Sequence, residues 1–114
     1  MESKNNIRKV CPDCGDTAME FFHETGGLQK LLMIARIQKE IYVKCAFKDE
    51  FGVEHMWIRF SMYDSKSNNI VGTLDNIPIT VKYVKNGDVV SVPASKISNF
   101  MYFENGANYS YVPL

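Results

Sequence analysis

The sequence predicts an α+β domain. An N-terminal helix or helix pair packs on a strongly curved antiparallel sheet of about five to seven strands, in the manner of a half-barrel. Three observations carry this. Apolar residues recur at helical spacing up to residue 40 and at every second position from residue 41 onward. Three turn signals, "DEFG" at 49–52, Asn86–Gly87 and Asn105–Gly106, divide the second part into hairpins. The chain of 114 residues, 46% hydrophobic, suits one domain with a real core.

In chain order, residues 1–15 are polar and predict a flexible N-terminal segment closed by the C-x-x-C turn "CPDCG". Residues 16–114 form the domain. "DTAMEFFHETGG" predicts a short helix: Asp16 or Thr17 can cap it, Thr17 and Glu20 have capping-box spacing, and Gly26–Gly27 stop it. "LQKLLMIARIQKE" (28–40) predicts a second helix. Leu28, Leu31, Leu32 and Ala35 form its apolar stripe, and Ile34 and Ile37 widen it.

From Ile41 the period is two. Ile41, Val43, Cys45 and Phe47 face one way, and Tyr42, Lys44, Ala46 and Lys48 the other. The next strand places Met56, Ile58, Phe60 and Met62 on one side and Val53, His55, Trp57, Arg59 and Ser61 opposite. Pairing Asp49 with Gly52 sets Cys45 against Met56 and Lys44 against Trp57, so the apolar faces coincide. "IVGTLDN" is a further short strand. Around Asn86–Gly87, Val81 and Tyr83 would face Val92 and Val90; a helical turn leading into a single strand at 88–93 is the alternative. Around Asn105–Gly106, Phe100 and Tyr102 would face Tyr111 and Tyr109.

Composition excludes some functions. Thirteen basic residues balance thirteen acidic ones, which speaks against a nucleic-acid binder. No run is long and apolar enough for a membrane span, and the polar start is unlike a signal peptide, so the expected location is the cytoplasm. Three cysteines do not suit a disulfide framework. No phosphate loop or nucleophile triad is present.

"VEHMWIRF", "VGTLDNIP", "VKNGDVVSV" and "ISNFMYFENG" occur in that order. With them, residues 41–112 resemble the YegJ-like bacterial family, a domain of unknown function (number 2314). The family pattern has an Asp-Trp pair where this chain has Asn99–Phe100. The resemblance implies a small α+β fold and brings no reaction, cofactor or catalytic residue.

The residues themselves point to a binding surface. Strand alternation separates Glu54 from His55, so they do not form an acid–base pair. It gathers Tyr42, Lys44, His55, Trp57 and Arg59 on one face, an aromatic–cationic set of the kind found in binding hot spots. Glu54, at the edge of the other face, is expected to pin the loop Gly72–Pro78. The aromatic C-terminal hairpin, with Tyr102 and Tyr109, is a second candidate, as a homodimer edge. The expected function is a non-catalytic binding module for a protein partner or a small anionic ligand, with no cofactor. The alternative is a zinc or thiol-redox protein using Cys11 and Cys14; these supply half of a four-ligand site.

Overall fold

The computed structural model describes residues 17–111. Among the described residues two short helices come first: α1 (Thr17–Glu24) and α2 (Gly27–Ile34). Gly26 takes a left-handed conformation between them, with φ 84°, which ends one helix and starts the other. Gly27 lies under the Phe22 ring, where a Cβ would sit 2.4 Å from ring carbons.

The second helix is shorter than its apolar stripe predicts. Beyond Ile34 the regular ladder gives way to a mixed turn, with i→i+3 bonds from Arg36 to Met33 and from Ile37 to Ile34 beside an i→i+4 bond from Gln38 to Ile34. Ile37, expected in the buried stripe, is 76% exposed. The chain must turn here to enter the first strand at Ile41, and that turn overrides the periodicity.

Six antiparallel strands follow: β1 (Ile41–Asp49), β2 (Gly52–Asp64), β3 (Asn69–Leu74), β4 (Val89–Pro93), β5 (Ile97–Glu104) and β6 (Ala107–Ser110). Their order in the sheet is β4-β3-β2-β1-β5-β6. The β1–β2 register matches the one required by the apolar faces, with Asp49 opposite Gly52, Cys45 opposite Met56 and Lys44 opposite Trp57. The Asn105–Gly106 turn also holds, and Tyr102 pairs with Tyr109.

Two expectations fail. Asn86–Gly87 does not join two strands; of the two readings, the single strand after the turn is the one that forms. Residues 75–88 form an irregular loop, and β4 is a single strand paired along β3. Val81 and Val84 anchor that loop in the core instead of pairing across a turn. Met62 does not continue the face of Met56 and Ile58. Phe60 pairs with Gly72 and Met62 with Val71, so Ser61 is an inserted bulge residue that reverses the parity. Tyr63 turns toward the core and Met62 becomes 50% exposed.

A three-residue 3-10 turn, Ala94–Lys96, joins β4 to β5. In a flat sheet these strands would lie about 19 Å apart, at roughly 4.8 Å per neighbouring pair. The link reaches about 14 Å at full stretch, and less when coiled. The sheet therefore curls. It stays open, however, and does not close into a barrel: the strand order runs between two free edges.

The concave side holds the core. Val43, Ile58, Ile70, Leu74 and Ile97 are fully buried there, and α1 and α2 contribute Phe22 and Leu31. Phe22 meets Phe100 of β5 edge-on at 6.1 Å and Tyr111 at 5.2 Å. The Thr25 and Tyr111 hydroxyls lie 2.7 Å apart, which ties the helix pair to the end of the sheet.

Gly72 sits opposite the bulge. A Cβ there would lie 2.2 Å from the Arg59 carbonyl oxygen and 2.6 Å from Ile58. Backbone cannot step aside as a flexible side chain can. Gly72→Ala is expected to cost about 1–3 kcal/mol. At roughly 4–8 °C per kcal/mol for a domain near this size, thermal denaturation reads the loss directly.

Candidate functional site

The convex side of the β1–β2 hairpin carries the aromatic–cationic residues. Tyr42 lies between Arg59 of β2 and Met101 of β5, and Lys44 lies between Trp57 and Asn99. The Lys44 ammonium stands 5.7 Å above the Trp57 ring, a cation–π contact. Arg59 is exposed and Trp57 half-buried.

The structure divides the five expected residues. Tyr42 is only 9% exposed and meets Phe103 edge-on at 5.9 Å. Burial raises its phenol pKa, with the Arg59 charge opposing. His55 belongs to the same face by parity but lies at the other end, where it lines a cleft. Lys44, Trp57 and Arg59 remain as the accessible group.

The backbone of Trp57 is fixed from outside β2. β3 ends at Leu74, opposite Ile58. Past that point Asp75 donates its N–H to the Trp57 carbonyl at 2.9 Å, and the Asn76 side chain accepts the Trp57 N–H. A residue pair with no strand geometry thus extends the ladder by one step.

The rest of the loop is held by carboxylates. Glu54 accepts backbone N–H bonds from Ile79 at 2.9 Å, Thr80 at 2.8 Å and Val81 at 3.2 Å. Asp49 accepts from Lys82 at 2.6 Å and from Phe51 at 2.8 Å. Asp88 accepts from Lys85 at 2.9 Å. Glu54 therefore pins a loop as its position suggested, but the pinned segment is 79–81 and not Gly72–Pro78. These bonds favour the ionised form, so the carboxyl pKa values of Glu54 and Asp49 both lie below the ordinary range.

The clamped loop presents two residues that sequence reasoning missed. Ile77 is 77% exposed and Ile79 is 80% exposed. The signal was "NIPI", two branched apolar residues flanking a proline. They project from a fixed loop that begins at Trp57 and ends against Glu54.

A cleft of about 450 Å³ opens where the sheet fails to close. β1 pairs with β5 only as far as Cys45 opposite Ile97, so residues 46–49 lie beyond the ladder. Phe47, Val53, Tyr83 and Val92 give it apolar walls, and Lys48 and Lys96 bring cations. Cys45 lines its floor; burial pushes that thiol up to about 12, so it stays protonated.

Tyr102 and Tyr109 stack at 5.2 Å on the short edge hairpin, and Tyr109 is 46% exposed. Cys11 and Cys14 lie outside the described residues. Among the described residues, no three His, Cys, Asp or Glu side chains gather as a metal site. Nor is any described helix long and apolar enough to cross a membrane.

Fold and surface together define a small α+β protein: an open curled sheet, a helix pair on its concave side, and a cationic aromatic patch on its convex side. The chain belongs to DUF2314, a family of uncharacterized proteins conserved in bacteria, whose family model matches residues 6–111. No curated protein and no solved structure matches it.

The loop clamp has a pH signature. A carboxylate with a depressed folded-state pKa contributes stability above its unfolded pKa and loses it as pH falls through the folded value. Glu54→Gln should therefore lower Tm near neutral pH. That deficit should shrink as pH falls from about 6 to about 3, because the wild type loses the same contribution by protonation. Melting curves across that range measure it.

Proposed function

We propose that the protein is a non-catalytic interaction module. It holds a short acidic segment of a partner protein against Lys44, Trp57 and Arg59, with Ile77 and Ile79 as apolar contacts. The observation that carries this reading is the Lys44 ammonium above the Trp57 ring, beside an exposed Arg59, on the face the helices leave uncovered. Lys44 and Arg59 favour an anionic occupant, with Glu40 and Asp75 as the acidic neighbours that bound the patch. The indole supplies the large rigid contact area typical of hot spots. Arg59 can take a carboxylate with two parallel bonds, which Lys44 cannot.

Rigidity supports the same reading. Trp57 is pinned through its backbone by Asp75 and Asn76, and the isoleucine loop is pinned by Glu54. A partner would meet a surface already in its bound shape, which lowers the ordering cost of association. The charged contacts lie at the rim of the patch, so binding should weaken as salt rises.

The test pairs Trp57→Ala with Arg59→Ala. Partners captured from bacterial lysate by the wild type are identified by mass spectrometry. The captured segment is then synthesised, with a second copy whose acidic residues are neutralised. The double variant should melt no more than about 5 °C below wild type. Its affinity for the acidic segment should fall at least about tenfold, and the neutralised segment should lose as much against wild type. A collapse in Tm would make the face core. Unchanged affinity would remove it as the working surface.

A further inference from the structure

We infer that the cleft at the open seam of the sheet binds a small amphipathic carboxylate, an aryl or alkyl acid whose apolar body enters between Phe47, Tyr83 and Val92 and whose anionic head meets Lys48 and Lys96. This site lies away from the Lys44, Trp57 and Arg59 group, at the far end of the same β1–β2 hairpin, with β4 and the 3-10 turn as its other wall.

The cleft follows from the fold. β4 and the 3-10 turn bring Val92 and Lys96 to one wall, while the end of the β1–β2 hairpin supplies Phe47, Lys48 and Val53 on the other. Its volume of about 450 Å³ falls in the usual range for small-molecule sites, roughly 300–1,000 Å³. The composition is also of that kind: mostly apolar walls with a few convergent polar groups.

The choice of an anion comes from charge. Among the described residues lining the cleft, Lys48 and Lys96 are cationic, Ser91 and Ser98 offer hydroxyls, and none is Asp or Glu. Asp49, next to Lys48, is outside the lining though its charge acts on Tyr83, and its carboxylate is occupied by the N–H groups of Phe51 and Lys82. Lys96 lies close enough to Cys45 for its charge to act on the thiol, so one cation reaches the buried end.

The choice of a small molecule comes from the strand edge. Beyond Cys45, β1 has no partner on its β5 side, and a peptide could in principle add a strand there. The Tyr83 hydroxyl lies near enough to the Lys48 backbone to feel it. Its ring stands 6.4 Å from that of Phe47, at 48°, and fills the position a new strand would occupy. What remains is a pocket with an aromatic side wall, suited to a compact apolar body.

The probe is 3-phenylpropionate, with 3-phenylpropanamide as its uncharged counterpart, titrated into the full chain and followed by 1H–15N correlation spectra. Saturable shifts are expected at Lys48, Tyr83, Val92 and Lys96, with the amide at least about tenfold weaker. The double variant Lys48→Gln and Lys96→Gln should keep a dispersed spectrum and bind acid and amide alike. Shifts that stay linear to about 10 mM would overturn the site. Equal binding of the amide by wild type would overturn the anionic class. Shifts centred on Lys44 and Trp57 would move the ligand to the convex face and leave the cleft without one.

Discussion

Three residues join strands that stand four places apart in the sheet, and most of the structure answers to that connection. Ala94–Lys96 cannot bridge a flat sheet, so the sheet curls until Pro93 and Ile97 come within reach. Curling gives a concave side deep enough for two short helices and a core that includes Phe22, Leu31 and Phe100. It also asks the long strand β2 to bend. The extra residue Ser61 and the missing side chain at Gly72 allow this, since a Cβ there would press on the Arg59 carbonyl. Bend and link are thus two parts of one solution.

The same geometry leaves a problem at the β3 end. β3 stops at Leu74, and fourteen residues run on before β4 begins at Val89. Such a segment has many backbone N–H groups and no ladder to receive them. Side-chain acceptors take much of that place: Glu54 for residues 79–81, Asp49 for Lys82 and Asp88 for Lys85, while Asn76 of the loop in turn accepts the Trp57 N–H. Two of these carboxylates come from the β1–β2 hairpin itself. The hairpin therefore shapes the loop that flanks its own exposed face. This is why Ile77 and Ile79 can stand in solvent without the loop collapsing inward.

The sequence made some of this legible and not the rest, for physical reasons. The β1–β2 register followed from alternation alone, because a slip of one residue would have turned Cys45 and Met56 outward together. The Asn105–Gly106 hairpin was legible from its turn, where Asn105 and Gly106 both take positive φ. Asn86–Gly87 carries the same local signal, yet only Gly87 has positive φ, and the preceding segment is drawn off by Glu54 and Asp49. Those acceptors are distant in sequence, so no local rule sees them. Ser61 has no signature that distinguishes a bulge from an ordinary strand residue, and so Met62 was assigned to the wrong side. The convex face was read as five equal members. Burial of Tyr42 and the position of His55 at the seam depend on β5 and the curl, which pattern reading does not supply.

The distribution of polar work also bears on the choice between binding and catalysis. A general base needs a carboxylate or imidazole free to take a proton in reach of a substrate. Glu54 is surrounded by three N–H donors that stabilise its anion and lower its basicity. Taking up a proton would cost it the loop it holds. Cys45 is held as a thiol by burial, where a nucleophile would need the thiolate. Strand parity keeps Glu54 and His55 on opposite sides of β2, and the two are directed to different surroundings, the loop and the seam. Lys44, over the Trp57 ring, and the exposed Arg59, Ile77 and Ile79 carry no such structural duty. Those are groups that recognise charge and apolar surface, which is the ground on which the proposed contact rests.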